Sequence, residues 1–224
     1  MTTDFYAGRV AYFGPDGENG REWFEMVPHA QGCTVRAFCE MDELGLTRDV
    51  TMALDTHGRP RDAFVRVIQR GRSLGSGFFV VDRQAVRCEA VTAELGQVSQ
   101  RRPLSAPLSY LGLHPLVCDG LIALSRGTDR PGQFVSIDII TNSQSPNGEQ
   151  GLIAAPGVID VAYLGDETLR VPAGTFDAQR YAVRWQPDWS PADLWVLGPS
   201  ALFLRLAWDM IDSHYELTEL RTSR

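Results

Sequence analysis

Thr34-Val-Arg-Ala-Phe-Cys-Glu-Met41 alternates at every step. Val35, Ala37, Cys39 and Met41 fall on one side of an extended chain, and Thr34, Arg36, Phe38 and Glu40 on the other. Successive side chains of a strand point to opposite faces, so this period of two marks a strand with one face on a core and one in water. The pattern repeats outward in both directions. Residues 6–13 and 22–27 read as strands joined across Asp16-Gly17-Glu18-Asn19-Gly20. A fourth strand at 49–55 ends in the turn His57-Gly58-Arg59-Pro60. Residues 63–69 and 77–82 form a hairpin across Arg70-Gly71-Arg72, and 84–95 and 97–102 continue the meander. After an interruption, strands resume at 133–141, 158–164, 167–171, 176–185, 193–197, 202–208 and 214–221.

Regularly spaced strands with short turns imply a mainly β protein. The expected architecture is an antiparallel, lipocalin-like or half-open β-barrel of about ten to twelve strands, with one short helix near 116–125. It is expected to form one domain over 1–224, because no linker, repeat or low-complexity tract divides the 224 residues. A barrel of this size can hold one apolar ligand.

Composition removes several kinds of function. The chain has no lysine; all 21 basic residues are arginine. That excludes a Schiff-base lysine, a lysine-anchored pyridoxal cofactor and a Walker A phosphate loop. A formal charge of −7 without a basic cluster argues against nucleic acid. No run of 18 apolar residues and no basic amphipathic helix argues for a membrane partner. Met1-Thr-Thr-Asp-Phe-Tyr6 carries neither a basic n-region nor an apolar h-region, so a cytoplasmic location is expected. Cys33, Cys39, Cys88 and Cys118 contain no CxxC pair, which fits reduced thiols and no structural zinc. No GxSxG, HExxH or EF-hand pattern is present, and the glycines of Gly71-Arg-Ser-Leu-Gly-Ser-Gly77 sit in a hairpin. No metal and no cofactor are expected.

One segment breaks the alternation: His114-Pro-Leu-Val-Cys-Asp-Gly120. It follows a loop punctuated by Pro103 and Pro107, and Pro115 suits the first position of a helix over 116–125. It brings a histidine, a thiol and a carboxylate within six positions. His114 precedes a proline, so an extended or helix-capping conformation is expected, with a ring that exchanges protons near neutral pH. Asp119 meets it if His114 lies just outside the helix. The structural alternative is that His114 caps the helix and Asp119 is solvated.

Leu169-Arg-Val-Pro-Ala-Gly-Thr-Phe-Asp-Ala-Gln-Arg-Tyr-Ala-Val183 resembles a signature of a largely uncharacterised group of bacterial curved-sheet or barrel proteins, similar in fold to lipocalins and lipoprotein-localisation factors. The His114–Gly120 segment, Trp195 and the closing Tyr215-Glu-Leu217 fit the same resemblance. Residues 110–220 carry it. It implies a strand entering a Pro-Ala-Gly-Thr-Phe turn and leaving it outward. Many such proteins carry an export signal; its absence here points to cytoplasmic metabolism. In bottom-up terms Pro172, Gly174 and Thr175 make a structural turn.

The expected site follows. His114, Asp119 and Tyr110 are the candidate catalytic residues, with His114 as general base or acid oriented by Asp119. Arg36, Arg66, Asp138, Tyr181, Trp185, Trp195 and His214 are the candidate substrate-binding residues. An inward arginine would pair with a carboxylate such as Asp138, and Arg36, Arg66, Tyr110 or Tyr181 would stabilise an oxyanion. On the last strand His214 and Tyr215 point oppositely, so one of them faces the cavity. The expected partner is a hydrophobic or aromatic small molecule; a homodimer stays open. Two functions compete, beside a third reading as a structural interaction domain with a filled core. One is a cofactor-independent lyase, of elimination or retro-aldol type, that acts on a hydroxylated aromatic and releases a small aldehyde. The other is a non-catalytic carrier or sensor of a hydrophobic molecule or lipid.

Overall fold

A computed structural model describes residues 4–223. The N-terminal residues 1–3, part of the stretch read above as lacking a leader, lie outside the described residues. Eight strands come first: β1 (Tyr6–Gly14), β2 (Gly17–His29), β3 (Gly32–Met41), β4 (Leu46–Leu54), β5 (Pro60–Gln69), β6 (Arg72–Val81), β7 (Ala85–Thr92) and β8 (Gly96–Pro103). A short β9 (Leu111–Gly112) and two helical turns, α1 (Leu116–Asp119) and α2 (Ile122–Arg126), follow. The chain ends with β10 (Val135–Thr141), β11 (Ala155–Val171), β12 (Gly174–Arg184), β13 (Ala192–Leu197), β14 (Leu202–Trp208) and β15 (Ser213–Thr222).

All the strands belong to one sheet, ordered β8-β7-β6-β5-β4-β3-β2-β1-β15-β14-β13-β12-β11-β10-β9. Neighbours are antiparallel except for β9 and β10. The first and last strands pair near the middle of the sheet, Tyr6 opposite Thr222 and Phe13 opposite His214. The mainly antiparallel β class is therefore as the alternation implies. Among the described residues fifteen strands form, more than ten to twelve: β9 is a pair of residues with no periodic signal, and the segments 158–164 and 167–171 are one long strand, β11.

The sheet is not closed by strand pairing: β8 and β9 are its two edges. Side chains bridge the opening instead. Arg102 Nε donates to the Ala154 carbonyl at 3.0 Å, and the Ala154 N–H donates to Gln100 Oε1 at 3.0 Å. Strand edges left unpaired invite association with other strands, and this bridge covers part of the β8 edge.

The inward face of β3 is Val35, Ala37 and Cys39, as its alternation requires. The Arg70–Gly71 turn takes positive φ at both positions (49° and 73°), the geometry of a tight hairpin whose twist matches its strands. The helix expected over 116–125 is instead two single turns broken near Gly120. A Cβ at Gly120 would lie 2.5 Å from the Ala201 carbonyl oxygen, so the residue lets the helical segment rest directly on β14. Val117, Cys118 and Ile122 are fully buried there. The helical segment thus fills the concave side of the sheet, and all four thiols are free and buried.

Candidate functional site

A cavity of about 370 Å³ remains between α1, the concave face and the segment that follows β10. Its floor holds Tyr12, Arg48, Tyr110, His114 and Asp119; its wall holds Trp185, Trp189, Trp208 and Tyr215. Exposure grades from the buried Tyr110 and Arg48 to the exposed Gln144, Pro146 and Pro187, which places the mouth beside the loops. The tryptophans pack in series. Trp185 and Trp208 lie 5.0 Å apart at 44°, and Trp189 and Trp208 5.3 Å apart at 48°. Tilted aromatic pairs at this spacing add to area burial and give a rigid apolar surface.

The floor is polar. Tyr110 O–H donates to Asp119 Oδ1 at 2.6 Å. Burial pushes Asp119 up to about 7, against the opposing pull of that hydrogen bond, and the buried Glu22 nearby adds to the rise. Burial holds the Tyr110 proton on its oxygen far above ordinary tyrosine, with the Asp119 charge adding to the effect. A carboxyl poised near neutrality in a cleft is suited to accept and return a proton.

His114 behaves differently from the sequence expectation. Burial and the nearby Arg48 charge lower it to about 3, so it is neutral at physiological pH. Its Nε2 lies 3.3 Å from the Ser143 carbonyl, which can only accept, so this nitrogen carries the proton. Its backbone is not extended either: φ is 74°, a left-handed value uncommon for a side-chain-bearing residue. His114 therefore ties the 142–149 segment to the floor. It does not cap α1.

The cap comes from β2. Glu22 is fully buried; its Oε2 accepts the Leu116 N–H at 2.7 Å and its Oε1 the Val117 N–H at 2.9 Å. Tyr12 O–H also donates to Glu22 Oε2 at 3.0 Å. These are the orphan donors that begin a helix, met by a carboxylate 94 residues away in sequence. Burial raises the Glu22 carboxyl above its ordinary range, while these hydrogen bonds pull it back.

Arg48 is the cavity's arginine. Sequence alternation would have found both it and Glu22. Leu46, Arg48, Val50, Met52 and Leu54 share one parity of β4, and Glu22, Phe24 and Met26 one parity of β2. Arg48 escaped because the strand was expected to begin at residue 49, whereas it begins at Leu46. Trp189 lies in the turn after β12 and gave no periodic signal.

Of the expected site residues, His114, Asp119, Tyr110 and Trp185 line this cavity, and Tyr215 faces it in place of His214. His214 stacks on Phe13 at 4.8 Å. Arg36 is on the outer face beside Glu25, Arg66 lies over Phe64 outside, and Asp138 is exposed. Each has the outward parity of its strand, so none reaches the floor. Arg180 pairs with Asp193, not Asp138. Trp195 lies between Arg180 and Arg205. Tyr181 is packed in the core beside Tyr163 and donates to Gln179. Trp23, Phe38, Phe78 and Phe134 are exposed and line no part of the cavity.

Gly148 lies against this floor. A Cβ there would lie 2.6 Å from both Arg48 Nη2 and the His114 ring, and its φ of 69° also favours glycine. Gly148→Ala is expected to displace the 142–149 segment and weaken binding of a cavity ligand about tenfold, while the thermal midpoint falls by only a few degrees. Tryptophan-quenching titration beside a melting curve checks this. Unchanged affinity would mean that the segment does not shape the cavity.

No known family model matches the sequence, and no curated protein matches it either. Among solved structures, the chain is similar to a β-barrel-like protein of a domain of unknown function, DUF1849, from Brucella abortus. The TM-score is 0.62 at 9% identity, over 100% of this chain and 99% of the other. It is also matched by a DUF1089 family protein from Pseudomonas aeruginosa, with a TM-score of 0.48 at 13% identity over 82% of this chain and 87% of that one. The first likeness shows a β-barrel-like fold. No helix among the described residues is long and apolar enough to cross a membrane.

Proposed function

We propose that this protein is a cofactor-independent lyase that runs general acid–base chemistry on a hydrophobic, hydroxylated aromatic molecule bound in the cavity. One observation carries the reading: Asp119, raised to about 7 and held by Tyr110, lies on the floor of a cavity walled by tryptophans. In a retro-aldol cleavage the Asp119 carboxylate takes the proton of the substrate hydroxyl. In a substrate with a carbonyl β to that hydroxyl, the bond between the hydroxyl-bearing carbon and the carbon beside the carbonyl then breaks, an aldehyde leaves, and the electron pair is held by the carbonyl as an enolate. The Asp119 carboxyl returns the proton to that carbon, so the enzyme is regenerated. Tyr110 fixes the orientation of Asp119. His114, neutral and bonded to Ser143, positions the cavity wall rather than acting as the base. A cytoplasmic setting and a single domain belong to this reading.

The second reading is a carrier or sensor of a hydrophobic molecule, in line with the resemblance to lipocalin-like proteins. What favours it is that the histidine nearest the cavity has its protonated nitrogen occupied by a backbone carbonyl. Asp119 and Tyr110 would then recognise a ligand hydroxyl.

The test is mass spectrometry of a mixture of hydroxylated aromatic compounds incubated with the wild type and with Asp119→Asn, no cofactor added. The lyase predicts conversion by the wild type, a rate that rises through about pH 7, and a loss of about a hundredfold or more in the variant. Compounds retained unchanged by both proteins would establish the carrier.

A further inference from the structure

Arg48 is only 3% exposed, and it lines the cavity. Among the described residues no carboxylate oxygen lies within ion-pair distance of its guanidinium. Its one hydrogen bond goes from Nη2 to the Asn147 carbonyl, and its buried Nε has no acceptor. A guanidinium carries five N–H donors and a permanent charge, and such a group is costly to bury without an anion. The nearest inward carboxylates are committed elsewhere. Glu22 stands two strands away in register, Glu22 opposite Cys39 and Cys39 opposite Arg48, but both its oxygens serve α1, Tyr12 and Cys39. Asp119 is engaged by Tyr110, and the Arg48 charge reaches it through space without an ion pair, pulling its carboxyl down against the rise from burial.

We infer that the molecule held in this cavity is an aromatic carboxylate, its carboxylate seated on Arg48 and its ring against Trp185, Trp189 and Trp208. This rests on the reading of the cavity as a small-molecule site. The flat fork of a guanidinium matches two coplanar carboxylate oxygens. One fixed positive charge balances one negative charge, whereas a phosphate dianion would call for more donors than a neutral His114 and a carboxyl can supply. The volume of about 370 Å³ is at the small end of ligand sites, which suits one or two rings rather than a long acyl chain.

Matched probes test it: 2-naphthoate, 2-naphthamide and 2-naphthyl phosphate, titrated by calorimetry and tryptophan quenching into the wild type and Arg48→Met. The wild type is expected to bind the carboxylate about tenfold or more tighter than the amide. Arg48→Met, checked for folding by circular dichroism, should bring that ratio close to one without losing the amide. Equal affinity of acid and amide for the wild type would overturn the inference and leave the cavity reading standing, and it needs no variant. Undiminished carboxylate binding by folded Arg48→Met would also overturn it. Preference for the phosphate would overturn the choice of anion. Failure of all three probes to bind would remove the cavity reading itself.

Discussion

Glu22→Ala is expected to lower the stability of the protein by about 3 to 5 kcal/mol, a large share of the roughly 5 to 15 kcal/mol that holds a domain folded. The substitution leaves the Leu116 and Val117 N–H groups and the Tyr12 hydroxyl without their acceptor. Each stranded buried donor costs about 1 to 3 kcal/mol. Ala is also smaller, so a void adds to the loss. Urea unfolding followed by tryptophan fluorescence measures the change. Glu22→Gln retains an acceptor oxygen and should lose less than half as much. A loss below about 1 kcal/mol for Glu22→Ala would show that α1 can be capped another way. The effect should reach the site, because α1 carries Asp119 at its end.

Asp119→Asn should stabilise the protein at neutral and higher pH while removing the proposed proton transfer. Burial raises the folded-state carboxyl to about 7 from an ordinary value of 3.8, so the folded chain holds this proton more tightly than the unfolded chain. The favourable contribution of the protonated group is complete below 3.8 and is lost as pH rises towards 7. Asparagine cannot ionise, and its amide oxygen can still accept from Tyr110. The stability difference between variant and wild type should therefore be near zero at about pH 3, open from about pH 4 and level off above about pH 7. The full difference corresponds to about 4 kcal/mol, and cavity water around this half-buried group reduces the expected plateau to about 1 to 3 kcal/mol. Glu22 titrates in both proteins and largely cancels in the comparison. Chemical denaturation at several pH values gives the curve. A flat difference would mean that Asp119 is not held protonated by the fold.

Much of the scaffold was legible because strand parity is a local property. Val35, Ala37 and Cys39 face the core for the reason the alternation gives, and the Arg70–Gly71 turn forms where its residues allow positive φ. That Asp119, Tyr110 and Trp185 line one cavity agrees with their choice by residue type, and for Asp119 with the break in periodicity at 114–120. Arg36, Arg66 and Asp138 do not line this cavity for a parity reason: an outward position on its own strand cannot reach the concave face. Arg48 and Glu22 carry the same kind of signal in reverse, polar residues on inward parity. β4 begins at Leu46, three residues before the expected 49–55 span, and β2 begins at Gly17, so Glu22 lies inside its strand rather than at its start.

By itself the sequence determined the antiparallel β architecture, the helical interruption and the chemistry that an all-arginine chain excludes, because each depends on residue type or on spacing between near neighbours. Only the tertiary structure decided which strands share an edge, that Glu22 caps a helix 94 residues away, and that Arg48 meets no carboxylate among the described residues. It also decided the protonation of Asp119 and His114. Those outcomes depend on what surrounds a group and how much water reaches it. Such contacts join residues far apart in the chain, and local periodicity carries no record of them.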